Sequence, residues 1–149
     1  MRQPLDDRVF AYVAGLLDAQ GLITVRTDQA GSVLPVVALS IPNQELVSWL
    51  GTLTSTTPTI TKRQFSRHRC TEHCPTNHQQ VSSVSMRWIV TGAKATVVLR
   101  AVRPWLRFQT EQADSVLAVA DQAPYKPATF QKMRELGWPV GDSSRTAGE

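Results

Sequence analysis

The spacing of apolar residues changes from helical to strand-like near residue 21, and that change marks the first joint of the fold. Val9, Val13, Leu16 and Leu17 recur at the three-to-four-residue spacing of an amphipathic helix. Asp6 and Asp7 are suitable N-caps for it, and the pattern runs to about Gln20. From Leu22 to Asp28, Ile23 and Val25 alternate with Thr24 and Arg26, and Val33 to Ile41 is rich in β-branched residues. With Gln29-Ala30-Gly31-Ser32 as the turn, these two runs predict a β-hairpin. Pro42-Asn43-Gln44 opens a second helix with Leu46, Trp49, Leu50 and Leu53 at core spacing, and Thr54 to Pro58 is a loop. Thr59 to Arg67 and Val81 to Val90 predict a second hairpin with a long polar tip, broken at Thr91-Gly92. Ala93 to Val102 is a short helix with Val98, Leu99 and Val102 inward. A further helix, after Pro104, carries Phe108, Ala113, Val116, Leu117 and Ala120 and ends before Pro124. Pro127 to Leu136 completes the pattern with Phe130, Met133 and Leu136 on one side, and the residues from Trp138 on are expected to fray.

Within the first helix, Ala11, Gly15 and Asp18/Ala19 fall on one face, which is nearly without side chains and admits a second backbone at close range. Ala14 is counted with that contact. Gly21 is expected to end the helix with a positive φ, leaving Asp18 in the last turn, where the helix dipole disfavours a carboxylate. Capping a neighbouring helix is one ordinary use of such an acid; a role outside folding is the other.

The chain has 149 residues, 42% hydrophobic and 19% charged, which suits one globular domain with a real core. Its net charge of +4 and isoelectric point near 9.5 favour a polyanionic partner. No apolar run approaches the roughly 18 residues needed to span a bilayer. The N-terminus lacks an apolar signal region, so the expectation is a cytoplasmic protein with reduced thiols.

Residues 13 to 21, Val-Ala-Gly-Leu-Leu-Asp-Ala-Gln-Gly, resemble the signature helix of the LAGLIDADG homing endonucleases. The two hairpins, and the stretch from Trp88 through Pro104-Trp105-Leu106 to Ala113, extend the likeness over about residues 7 to 122. The resemblance implies an α+β fold of order αββαββα, with a four-stranded antiparallel DNA-binding saddle and helices on one face. Residues 1–122 then form that domain, with an insertion at 68–78, and 123–149 form a C-terminal helix and tail. A single motif copy implies a homodimer, since the motif helix packs on an equivalent helix about a two-fold axis.

The resemblance also implies metal-dependent double-strand cleavage, with Mg²⁺ held by an acid at the eighth motif position. Here that position is Gln20, and an amide is a weaker, uncharged ligand for a hard cation. The carbonyl of Ala19 remains as a further implied ligand, with Asp18 as a possible substitute. Asn43 falls near a position that often carries an amide. Where the family commonly has a basic residue, five places after the proline of its Pro-aromatic-Leu element, this chain has Gln109, with Arg107 two residues earlier. Cleavage is therefore expected to be impaired. The alternatives are a catalytically inactive DNA-binding regulator and an intron RNA-splicing cofactor.

Two further groups of residues carry candidate chemistry. Thr24, Arg26, Lys62, Gln64, Ser66, Ser83, Ser85 and Arg87 occupy alternating strand positions that suit phosphate contacts and base readout. In the third strand the opposite parity presents Arg63 and Arg67 instead. All cysteines and histidines lie within 68–78, where Cys70, His73, Cys74 and His78 could hold a structural Zn²⁺ although the spacing is not a standard pattern. The other reading of that segment is a loop contacting the DNA backbone through Arg67 and Arg69.

Overall fold

In a computed structural model that describes residues 4–66, 80–121 and 127–140, the first helix, α1 (Asp7–Gln20), passes into β1 (Gly21–Thr27) without a loop. Gly21 is extended there, with φ −78° and ψ 158°, and not left-handed as the sequence suggested. Glycine is required for space: an added Cβ would lie 2.5 Å from the Leu17 Cα and 2.6 Å from its Cδ2. Asp6 caps α1 by accepting from the Arg8 amide at 3.0 Å.

The β1–β2 turn uses Gly31 at φ +83°, while the Asp28 carboxylate accepts from the Ser32 amide at 2.8 Å. β2 (Val33–Ser40), α2 (Gln44–Thr54), β3 (Thr59–Ser66) and β4 (Gln80–Thr91) follow. Then come α3 (Gly92–Val102), a 3-10 turn at Arg103–Trp105, α4 (Thr110–Ala120) and α5 (Pro127–Glu135). Every strand and helix expected from the apolar pattern is present, with boundaries displaced by one or two residues.

The four strands form one antiparallel sheet in the order β1-β2-β4-β3. Directly opposed residues share a face, so the register sorts the sheet into two surfaces. Ile23, Val37, Leu39, Trp88 and Val90 belong to one surface and join Val13, Leu17, Leu50, Val98, Leu99 and Met133 in the helix-covered core. Two tryptophans fasten the C-terminal end of α2 to this core. The Trp88 indole N–H donates to the buried Thr54 hydroxyl at 3.0 Å, and that of Trp138 donates to the Leu53 carbonyl at 2.8 Å. Both buried donors thereby keep partners, without which each would carry an unmet desolvation cost.

From the 3-10 turn, Arg103 holds Asp114 of α4 through a two-pronged ion pair. The hydrogen bond from Arg103 holds the Asp114 carboxyl below the usual carboxylate range and raises the guanidinium in turn. Arg100 pairs with Asp121 at the other end of the same helix. Among the described residues, no helix is long and apolar enough to cross a membrane.

Candidate nucleic-acid interface and the end of the first helix

The last turn of α1 and the entry to α4 hold each other by exchanged hydrogen bonds. Asp18 Oδ2 accepts from the Arg107 amide at 2.8 Å, and Oδ1 accepts from the Phe108 and Gln109 amides at 3.2 and 3.0 Å. In return the Gln109 side-chain amide donates to the carbonyls of Leu17 and, at 3.1 Å, of Gly21. Three successive amides leading into α4 meet a carboxylate, and the Leu17 carbonyl, which already accepts from the Gly21 amide, and the Gly21 carbonyl each accept from the Gln109 amide. Asp18 thus fixes the segment that leads into α4 of its own chain. Gln109, placed by the resemblance where a basic group is common, spends its donor on the backbone of α1.

This arrangement gathers five of the six residues expected at the catalytic end. Ala19 and Gln20 are exposed at the tip of α1, Asp18 and Gln109 are partly covered, and Arg107 is exposed beside them. Asn43 is not gathered with them by any contact. Its side chain accepts from the Leu46 amide at 3.0 Å as the N-cap of α2. It lines a cleft of about 570 Å³ with Arg8, Val9, Tyr12, Glu45, Leu46 and Trp49, at the N-terminal half of α1.

On α1 itself, Gly15 and Ala19 are exposed and Ala11 is half-buried, and a Cβ added at Gly15 meets nothing within 4 Å. Ala14 departs from expectation. It is fully buried within the single chain, because it lies on the flank that faces the core with Val13 and Leu17. The open stripe is therefore Ala11, Gly15 and Ala19, with Asp18 turned to its own chain.

The sheet surface opposite the core carries Thr24 and Arg26 from β1, Arg87 and Ser85 from β4, and Thr59 and Thr61 from β3, with Arg87 opposite Thr59 and Ser85 opposite Thr61. Arg26, Ser85, Arg87, Thr59 and Thr61 are exposed. Position 83 pairs with position 63, and both share the register parity of Ser85 and Arg87. Lys62, Gln64 and Ser66 pair with Val84, Ser82 and Gln80, so by register they share a parity with Val84 and not with Arg87. Thr59 and Thr61 are the β3 residues that stand beside Arg87 and Ser85, and the register is the signal the sequence lacked. Arg67, Arg69, Cys70, His73, Cys74 and His78 lie outside the described residues.

A sheet with one cation-bearing outer face, a motif helix at its edge and helices on its other side is the LAGLIDADG homing-endonuclease fold. The homing endonuclease I-CvuI, in complex with its Sro1.3 target in the presence of calcium, has a TM-score of 0.55 at 17% identity. That alignment covers 88% of this chain and 78% of I-CvuI. The same enzyme with the I-CreI target C1221 in magnesium, where the DNA is not cleaved, gives a TM-score of 0.53 at 17% identity over 88% and 79%. An archaeal intron-encoded homing endonuclease complexed with DNA, I-Vdi141I, gives 0.51 at 12% identity over 88% and 80%. No protein-family model and no curated protein sequence matches the chain.

Proposed function

We propose that this protein is a homodimeric, sequence-specific binder of double-stranded DNA whose metal-dependent cleavage is weak or lost. The observation that carries the reading is the pairing of an exposed, cation-bearing sheet face with an uncharged Gln20 at the tip of the motif helix. Arg26 and Arg87 supply charge for phosphates and, with Thr24 and Ser85, donors and acceptors for base edges. Solved relatives of the fold are complexes with DNA, which supports duplex DNA as the partner.

The donors at the end of α1 do not fit Mg²⁺. That ion requires hard, preferably anionic oxygens in near-octahedral array. Gln20 contributes a neutral amide, and Asp18 already accepts three amide hydrogens, out of about four lone-pair sites on a carboxylate. The Gly21 carbonyl is taken by Gln109. Removing a negative charge beside the DNA backbone lowers repulsion from phosphate, so loss of cleavage and retention of binding go together. This favours, as a second reading within the same fold, a regulator that binds its site without cutting.

The experiment incubates purified protein and its Gln20→Asp variant with Mg²⁺ or Mn²⁺ and duplex DNA spanning the insertion site of its own gene. The expected result is binding by both proteins, slow or absent cutting by the natural chain, and increased Mg²⁺-dependent cutting by Gln20→Asp. Efficient cutting by the natural chain with no gain from Gln20→Asp would overturn the assignment of Gln20.

A further inference from the structure

The sheet face opposite the core is not uniformly polar. Leu22, Ala38 and Ile89 stand opposite one another in a single row across β1, β2 and β4, and Val36 lies in the next row between Thr24 and Thr91. Leu22 is 48% exposed, while Ala38 and Val36 are buried between their neighbours at 2% and 4%. Neither Val36 nor Ala38 belongs to the helix-covered core cluster, as the register requires. An apolar band therefore crosses the middle of this sheet face, with Leu22 its exposed member, Ile89 half-buried, and Ala38 and Val36 covered. Arg26 lies four residues from Leu22 along β1, and Arg87 lies two residues from Ile89 along β4, on the opposite side of the band.

Across two strand spacings the row from Leu22 to Ile89 spans about 10 Å. The major groove is about 12 Å wide, so a row of that span fits across its floor. Within the groove, an apolar side chain leaves the amino groups of adenine and cytosine without a hydrogen-bond partner, whereas the 5-methyl group of thymine loses nothing by meeting it. We propose that this band reads thymine methyl groups in the major groove, with Leu22 as its exposed contact. The proposal rests on duplex DNA being the partner and adds the base feature that the middle of the surface selects.

The test begins by selecting bound duplexes from a randomised pool with the natural protein. Each thymine of the enriched site is then replaced, one at a time, by deoxyuridine, which differs only in lacking the methyl group. At one or more positions per half-site the replacement is expected to weaken binding about fourfold, the worth of one buried carbon. Leu22→Ser is expected to bind the thymine and deoxyuridine duplexes equally at those positions. Equal affinity of the natural protein for every substituted duplex overturns the proposal, and so does a Leu22→Ser variant that still prefers thymine. Failure to enrich any duplex overturns the DNA-binding reading itself, a result distinct from either of these.

Discussion

Asp18 occupies a place that its own helix disfavours, and it is retained there by groups of another element. The negative end of the α1 dipole lies beside it, but three amides at the entry to α4 converge on its two oxygens. Asp18→Ala removes all three acceptor contacts at once, and a destabilisation of about 1–3 kcal/mol is expected, read as a lower urea midpoint. Asp18→Asn keeps one carbonyl acceptor and is expected to lose less. An unchanged midpoint for Asp18→Ala would mean that water replaces the carboxylate at no cost. The sequence left two uses open for this acid, since nothing local to residues 13–21 reveals a partner some ninety residues away. Gly21 was legible as a required glycine for the wrong reason: the backbone is extended, and what excludes a side chain is the proximity of Leu17.

At the scale of elements, legibility followed burial. β1 and β4 each place one parity against the helices, so alternation in the sequence reports their orientation, while β2 is apolar at both parities and takes its orientation from its neighbours. β3 has no such constraint. On the core-side parity, Ile60 is 54% exposed and its neighbour Val84 47%, and a cation is available at either parity, at Lys62 or at Arg63. Only its pairing with β4 decides which of them joins Arg87. The turn between α3 and α4 is governed in the same manner by a contact invisible in sequence, the Arg103–Asp114 ion pair. Because the Asp114 carboxyl is held below the usual range, its contribution is complete above the ordinary carboxylate value and is lost as pH falls through the lowered one. Carboxyl NMR is expected to show Asp114 titrating below its usual range, and Arg103→Gln to return it there. An Asp114 titration unmoved by Arg103→Gln would remove the guanidinium as the cause.

For the whole molecule, the test of two-fold assembly lies at Gly15. A Cβ added at the exposed Gly15 meets nothing within 4 Å, so Gly15→Leu is expected to leave the fold of a single chain intact. A closely approached helix would instead be overpacked, at a cost of about 1–3 kcal/mol per site. Light scattering is expected to report a dimer for the natural chain and a shift towards monomer for Gly15→Leu, with thermal unfolding of the monomeric fraction preserved. A natural chain that stays monomeric at micromolar concentration contradicts the assembly.

The loopless passage from Gln20 into Gly21 also limits how this protein can vary by length. Inserting one residue there would exchange the two sides of β1, turning Leu22, Thr24 and Arg26 inward and sending Ile23 outward. The Asp28–Ser32 turn, exposed and closed by its own hydrogen bonds, has no comparable constraint. Lineages of this chain are thus free to change what β1 presents by exchanging one side chain for another, but insertions and deletions should accumulate at the far end of the hairpin and be purged at its root.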